Sequence, residues 1–397
     1  MSDLLLPDPT TSAPPAPPVR TAGKVQAAVL LGASCFSVLG SVLIAPVQPS
    51  IRDAFASTAH VDLLVPVTLT VPALVIGLLA PFAGRIADAA GRVRLLTVAL
   101  VVYAVFGTAP LYLPTLGLVV ASRVGVGVAE AAIITCCTTL LADLWSGPAR
   151  NKILGLQTVV TGISAIVFIG LGGALGATSW RTPFAVYGIA VLFAVAVPAL
   201  LWNPSGLQRT GDLSPLRWRP LVAPVALSFG GGIIFYAPIV ELSFKLDGLG
   251  VKSTATIGAI SAVAAVATAI GAGSFARVAG RGTAALLPVA LGVAGVGLVL
   301  LGAAQSVPLV AAAAIIASAG TGLLLPTLLT WAISTLELDQ RGRGTGIWTA
   351  SLFIGQFLCP ILVLAVGAVL GGLAGALVLL GVASLALAVV GRRVARA

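Results

Sequence analysis

The chain has 397 residues and a net charge of +10, yet 58% of it is hydrophobic and only 9% is charged, with a mean hydropathy of +1.11. Soluble domains carry roughly 25% charged residues, so a soluble fold of this composition would expose far too much apolar surface. The basic residues are scattered among short loops instead of clustered on one face, which argues against a nucleic-acid partner.

Residues 1–23 hold Pro7, Pro9, Pro14, Pro15, Pro17 and Pro18 and no apolar run long enough for a signal peptide. They read as a disordered tail. Twelve apolar runs follow, near 25–46, 62–83, 95–112, 116–142, 153–177, 183–202, 219–241, 255–275, 283–303, 308–333, 345–368 and 371–390. Each approaches the ~20 residues that a bilayer core requires. Barrel strands alternate in polarity and need only about 10 residues, so these runs predict helices. The expected fold class is an all-α polytopic membrane protein with twelve transmembrane helices.

Charge sets the expected topology. With the N-terminus inside and loops assigned alternately, only Arg52, Arg181, Lys245 and Lys252 fall outside, and Arg123 lies within a span. The remaining lysines and arginines fall inside, as the positive-inside rule expects for an even number of spans. This predicts a multi-pass protein of the inner (plasma) membrane with both termini cytoplasmic. The polar stretch 203–218 reads as a cytoplasmic linker between two six-helix bundles, 24–202 and 219–391, with 392–397 as a cytoplasmic tail.

Between the second and third runs lies a polar hinge, residues 84–94, from Gly84 through Asp88, Gly91 and Arg92 to Arg94. A sharp turn at a membrane surface favours glycine. The pattern recurs at 273–281, with Gly273, Arg277, Gly280 and Arg281, close to half the chain length away. The fifth position is reversed in charge. Arg150 before Gly155-Leu156-Gln157 is echoed by Arg341 before Gly346-Ile347-Trp348. Motifs repeated at half-length suggest two structural repeats.

The 4 cysteines, Cys35, Cys136, Cys137 and Cys359, fall inside apolar runs and read as small packing residues. The 1 histidine, His60, leaves no metal-ligand spacing, so no metal or cofactor is expected. His60 also sits near no nucleophile motif, and neither HExxH nor GxSxG occurs, which argues against an intramembrane enzyme.

Beyond its tail, the chain resembles the major facilitator superfamily of secondary transporters. Gly84, Asp88, Gly91, Arg92 and Arg94 match that family's loop motif between spans 2 and 3. Leu43 to Ile51 resembles the usual end of the first span, and Arg123, Gly127 and Ala131 fit the fourth-span pattern. Gly322 to Pro360, with Pro326, Arg341, Gly342, Gly346, Gly355 and Gln356, is similar to the tenth and eleventh spans of bacterial sugar- and drug-efflux members. The resemblance implies alternating access between two pseudo-symmetric bundles, driven by proton exchange. It also implies a conformational latch on the inner face, built from Gly84, Asp88, Gly91, Arg92 and Asp143. One departure stands in the fifth span, where Gly170-Leu171-Gly172-Gly173 keeps the antiporter glycines but Phe168 and Ile169 replace Gly-Pro.

Span 4 carries the most informative pair. Arg123 and Glu130 are two helical turns apart, about 10 Å along one face. Ionisable groups cost on the order of 3 kcal/mol in hydrocarbon and so normally face a cavity or a partner. Glu130 is the only acid well inside a predicted span, and it reads as the proton carrier, with Arg123 tuning it or contacting substrate. A static anchor pair is the alternative. Ser37, Gln157, Tyr236, Trp331, Trp348 and Gln356 are candidates for a substrate cavity. Close helix packing suits Ser37 and Ser41 better than substrate contact does, and interface anchoring suits the two tryptophans at least as well. Glu241, Lys245, Asp247, His60 and Asp62 read as solvated groups at the outer surface.

The expected function is export of a small neutral or amphipathic organic compound, drug-like or a sugar, by a monomer exchanging it for protons across the lipid bilayer. A proton symporter, importer or uniporter of a small metabolite is the alternative.

Overall fold

A computed structural model describes residues 22–203, 216, 218–337 and 340–395. Most of the predicted tail and linker, and the last two residues of the chain, lie outside the described residues. Among those described, 12 helical segments are long and apolar enough to cross a membrane. The first half contains α1 (Lys24–Val42), the short α2 (Gln48–Ala54), α3 (Val61–Ala90), α4 (Arg92–Thr108), α5 (Leu116–Leu144), α6 (Gly147–Gly176) and α7 (Ala190–Leu200). The second contains α8 (Trp218–Gly248), α9 (Thr254–Val278), α10 (Thr283–Ala303), α11 (Val307–Ser334), α12 (Arg341–Leu370) and α13 (Leu373–Val394).

Local chemistry explains several boundaries. Thr115 starts α5 by accepting a hydrogen bond from the Leu118 amide, and Ser253 starts α9 through the Thr256 amide. Both satisfy an orphan donor of a first helical turn. Ala45–Val47 forms a 3-10 turn at Pro46, after which α2 carries the first span on to Ala54. The sixth span opens as a 3-10 helix, Thr182–Ile189, before α7.

The 84–94 hinge is tighter than its composition suggests. α3 continues to Ala90 and α4 begins at Arg92, so the whole turn falls on Gly91, with φ of 80°. Only glycine adopts that backbone without strain. Gly84 lies inside α3, and a Cβ there would meet nothing within 4 Å. In the second copy the turn residue is Gly282, with φ of 76°, reached through a 3-10 turn at Ala279–Arg281. The repeat therefore turns two residues later than the Gly84/Gly273 alignment implies. We call the side carrying Gly91 and Gly282 the motif face.

α8 runs seven residues beyond its expected end at 241. Glu241, Lys245 and Asp247 consequently fall inside the helix, and all three are buried, which corrects their reading as solvated surface groups. His60 and Asp62 are exposed, as expected.

Within the first bundle α5 packs on α1, α3 and α4, and in the second α11 packs on α8, α9 and α10. Two long crossings join the bundles, α3 with α12 and α6 with α9. Exchanging span 2 for 8 and 11 for 5 converts one crossing into the other, as a pseudo-twofold requires. Both use glycine to bring backbones together. A Cβ on Gly173 would lie 2.6 Å from Gly258 Cα and from Thr254 O, and one on Gly346 would lie 3.2 Å from Ala80 O. The α6–α9 contact sits toward the face opposite the motif.

Gly173→Val should force α6 from α9 at a cost of about 1–3 kcal/mol. The apparent melting temperature in detergent is expected to fall. Gly162→Ala, in the same helix with open space around it, should leave that temperature unchanged or raise it slightly.

Candidate functional site

Arg123 and Glu130 are both completely buried, on the α5 face turned into the first bundle. Arg123 Nε donates to Thr68 O at 3.2 Å, and Nη2 donates to Gly40 O at 3.1 Å and to Tyr187 Oη at 2.7 Å. The guanidinium also lies 5.0 Å from the Tyr187 ring centre and 6.0 Å from that of Phe184. Hydrogen bonds from a charged donor contribute about 1.5–3 kcal/mol each. Three of them, with the rings, outweigh an insertion cost of about 3 kcal/mol. Arg123 thus ties α5 to α1, α3 and the start of the sixth span.

Glu130 is positioned differently. Its carboxyl packs on the backbone of Gly40, where any Cβ would collide with Oε1. Tyr103 Oη lies 2.8 Å from Phe36 O and 3.5 Å from Glu130 Oε1. A phenol has one proton, and the shorter contact takes it. A good bond between tyrosine and carboxyl then needs a proton on the carboxyl. Arg123 and Glu130 form no ion pair within 4 Å. Glu130 Oε2 and Arg123 Nη1 have no hydrogen-bond partner among the described residues. A buried acceptor and a buried donor are thus left for a further polar group.

Arg92 donates to Asp88 Oδ1 through Nε at 3.2 Å and Nη2 at 2.8 Å, and it also pairs with Asp143. Asp88 closes α3, Arg92 opens α4 and Asp143 ends α5, so the cluster lies wholly inside the first bundle. Its route to the second bundle is α3, which packs along α12.

The cavity candidates are dispersed. Gln157 Nε2 donates to Ser34 Oγ at 3.0 Å and Thr138 Oγ1 at 3.1 Å, beneath the first bundle's interior. Ser37 returns its hydroxyl to Ser34 O. Tyr236 crosses between bundles, donating from α8 to Ser41 O at 2.9 Å. Gln356 is buried at the α8–α12 crossing, where a Cβ on Gly232 would lie 3.2 Å from its backbone nitrogen. Trp348 is buried and Trp331 half-buried.

Three features escaped sequence reasoning. Tyr103 and Tyr187 complete the Arg123/Glu130 pocket, and the signal was available, since a tyrosine inside an apolar span needs a partner for its hydroxyl. Glu241 is a second buried carboxylate, 5% exposed, beside Cys359. On the face opposite the motif, Asp247 of α8 accepts from Arg52 of α2 at 2.8 Å and from Lys252 at 2.6 Å. Arg52 also lies 5.7 Å from the Phe244 ring centre. This ion pair joins the two bundles directly.

About half of the chain is similar to efflux proteins. Over 223 residues it is 26% identical to the multidrug efflux protein YfmO of Bacillus subtilis, covering 54% of each chain. Over 205 residues it is 26% identical to the quinolone resistance protein NorA of Staphylococcus aureus, covering 48% of this chain and 52% of NorA. The chain thus spans about half the length of the relatives it matches. Its fold is similar to a bacterial homologue of the human lysosomal transporter Spinster, with a TM-score of 0.77, 16% identity and coverage of 93% and 96%. It is also similar to the xylose transporter XylE of E. coli, with a TM-score of 0.75, 13% identity and coverage of 91% and 94%. The Major Facilitator Superfamily profile matches residues 30–281, more than half of the chain. With twelve spans in two bundles and the Gly91 turn in place, this chain belongs to the Major Facilitator Superfamily of membrane transporters.

Proposed function

We propose that the protein exports a small neutral or amphipathic organic compound in exchange for protons, with the motif face toward the cytoplasm. One observation carries the reading. Glu130 is fully buried, has no ion-pair partner among the described residues, and keeps one carboxyl oxygen free of hydrogen bonds. Such a group is tolerated when it carries a proton or meets a cation. Gly40, which its carboxyl packs on, belongs to α1, and Tyr236 of the second bundle reaches Ser41 O one residue further on, so rocking of the second bundle past α1 changes the carboxyl's surroundings. Small differential energies of that kind bias a two-state equilibrium. The efflux roles in the names of YfmO and NorA support a drug-like cargo.

In this mechanism Arg52, Asp247 and Lys252 close the outer face, while Arg92 with Asp88 and Asp143 stiffens the inner end of the first bundle and acts on α12 through α3. A symporter, importer or uniporter is the second reading. Its support is α6, where Phe168 and Ile169 stand in place of Gly-Pro.

The test uses inverted membrane vesicles with an acidic lumen. An antiporter accumulates a quinolone inside as protons leave, whereas a symporter loses it. Glu130→Gln keeps the shape and removes the titrating group, so gradient-driven accumulation should fall at least about tenfold, about 1.4 kcal/mol, with folded yield unchanged. Undiminished accumulation in that variant would refute the proton role of Glu130. Gly40→Ala should displace the carboxyl and give the same defect.

Asp247→Asn should loosen the outer closure. In a background with the four native cysteines replaced, a Ser41→Cys reporter is expected to react faster with an impermeant thiol reagent added outside. An unchanged rate would remove Asp247 from the outer gate.

A further inference from the structure

On the motif face, a groove of about 560 Å³ opens between the start of α10 and the end of α13. That volume is within the range of small-molecule sites, roughly 300–1,000 Å³. Arg281 and Arg392 stand over it, and Ala284, Ala285, Pro288 and Val289 line it. Both arginines are exposed, and neither makes a hydrogen bond or ion pair among the described residues. Arg281 is held by the 3-10 turn that ends at Gly282, and Arg392 by the last turn of α13. Among the described residues from the start of α9 onward the only acid is Glu337, and it does not line the groove. No described lining residue therefore balances the charge of the two guanidinium groups within the groove.

The same helix pair supplies a comparison at its other end. There a groove of about 490 Å³ is lined by Gly302, Ala303, Gln305, Ala374 and apolar neighbours, with no charged side chain. Shape is thus shared between the two ends, and charge is not.

We propose that the Arg281/Arg392 groove is a binding site for an anionic phospholipid. Guanidinium groups bind phosphate oxygens through charge-assisted, often bidentate hydrogen bonds. The arginines meet the phosphate, and one acyl chain runs along Ala284, Ala285, Pro288 and Val289 toward the bilayer interior. Basic pockets between spans at a membrane surface select headgroups of this charge. The opposite groove, with no charged side chain in its lining and with the nearby Lys245 ammonium buried and donating to Gly302 O at 2.9 Å, accepts lipid without regard to headgroup charge. The site is separate from the Arg123/Glu130 pocket, and its occupancy does not depend on proton coupling.

The full chain, purified and reconstituted in nanodiscs of phosphatidylcholine doped with phosphatidylglycerol, tests this by native mass spectrometry. The wild type should retain phosphatidylglycerol selectively, and the Arg281→Gln/Arg392→Gln pair should lose it, with affinity reduced at least about tenfold. Arg277→Gln, one turn before the groove, should behave as wild type, which controls for folding and for general basic charge. In thermal denaturation, phosphatidylglycerol micelles should raise the melting temperature of the wild type and not of the double variant. Equal retention by the wild type and the double variant would overturn the proposal. So would loss of equal size in Arg277→Gln, or displacement of the lipid by inorganic phosphate at millimolar concentration.

Discussion

A guanidinium shut away from water must find its acceptors in protein, and Arg123 finds them on three other spans. Gly40 O, Thr68 O and Tyr187 Oη hold it at 3.1, 3.2 and 2.7 Å. The interior of the first bundle is arranged around that need. Gly40 lacks a Cβ, which leaves room for the Glu130 carboxyl against the α1 backbone. The Tyr103 and Tyr187 rings lie 5.1 Å apart, tilted by 40°, and place their hydroxyls at Glu130 and Arg123. Removing one partner from such a network leaves a buried charge uncompensated, which costs far more than the net worth of the bonds themselves. The network is therefore held together as a unit, and α1, α3, α5 and the sixth span move together.

The interface between the bundles has a different character. Glycines bring the α6 and α9 backbones together and lie along the α3–α12 crossing, while a few polar contacts sit toward the side opposite the motif. Tyr236 reaches Ser41 O, Thr254 reaches Gly173 O at 3.0 Å, and Arg52 meets Asp247. Smooth backbone crossings slide, and isolated polar contacts break one at a time. A rigid bundle joined to its neighbour by such contacts is suited to a two-state rocking motion. The halves share a fold without sharing their charges. The first holds two separate charged sets, Arg123 with Glu130 inside the bundle and Asp88, Arg92 and Asp143 at its motif-face end, whereas the second buries the acid Glu241 deep in α8.

Much of this architecture follows from the amino-acid sequence. Twelve apolar runs, separated by polar loops with a charge bias, leave a helical membrane protein as the consistent reading, because in lipid every backbone donor must be satisfied within its own segment. Arg123 and Glu130 stood out for the same reason, as charges where hydrocarbon should be. The turn at Gly91 was legible to within a few residues, although the helices press closer to it than the polar composition of 84–94 suggests.

Tertiary structure alone decided what each charge meets. Helical spacing put Arg123 and Glu130 on one face, and packing then gave them separate partners, since three backbone and phenol acceptors lie nearer to the arginine than the carboxylate does. Composition near residue 241 resembles a loop, and only the continuation of α8 buries Glu241 and brings Asp247 to Arg52, 195 positions away. Arg281 and Arg392 likewise became neighbours through the packing of α10 on α13. Hydropathy depends on what each residue prefers as its solvent and is readable one segment at a time. Pairing depends on which segments touch, and that is settled by backbone approach at glycines such as Gly40, Gly173 and Gly258.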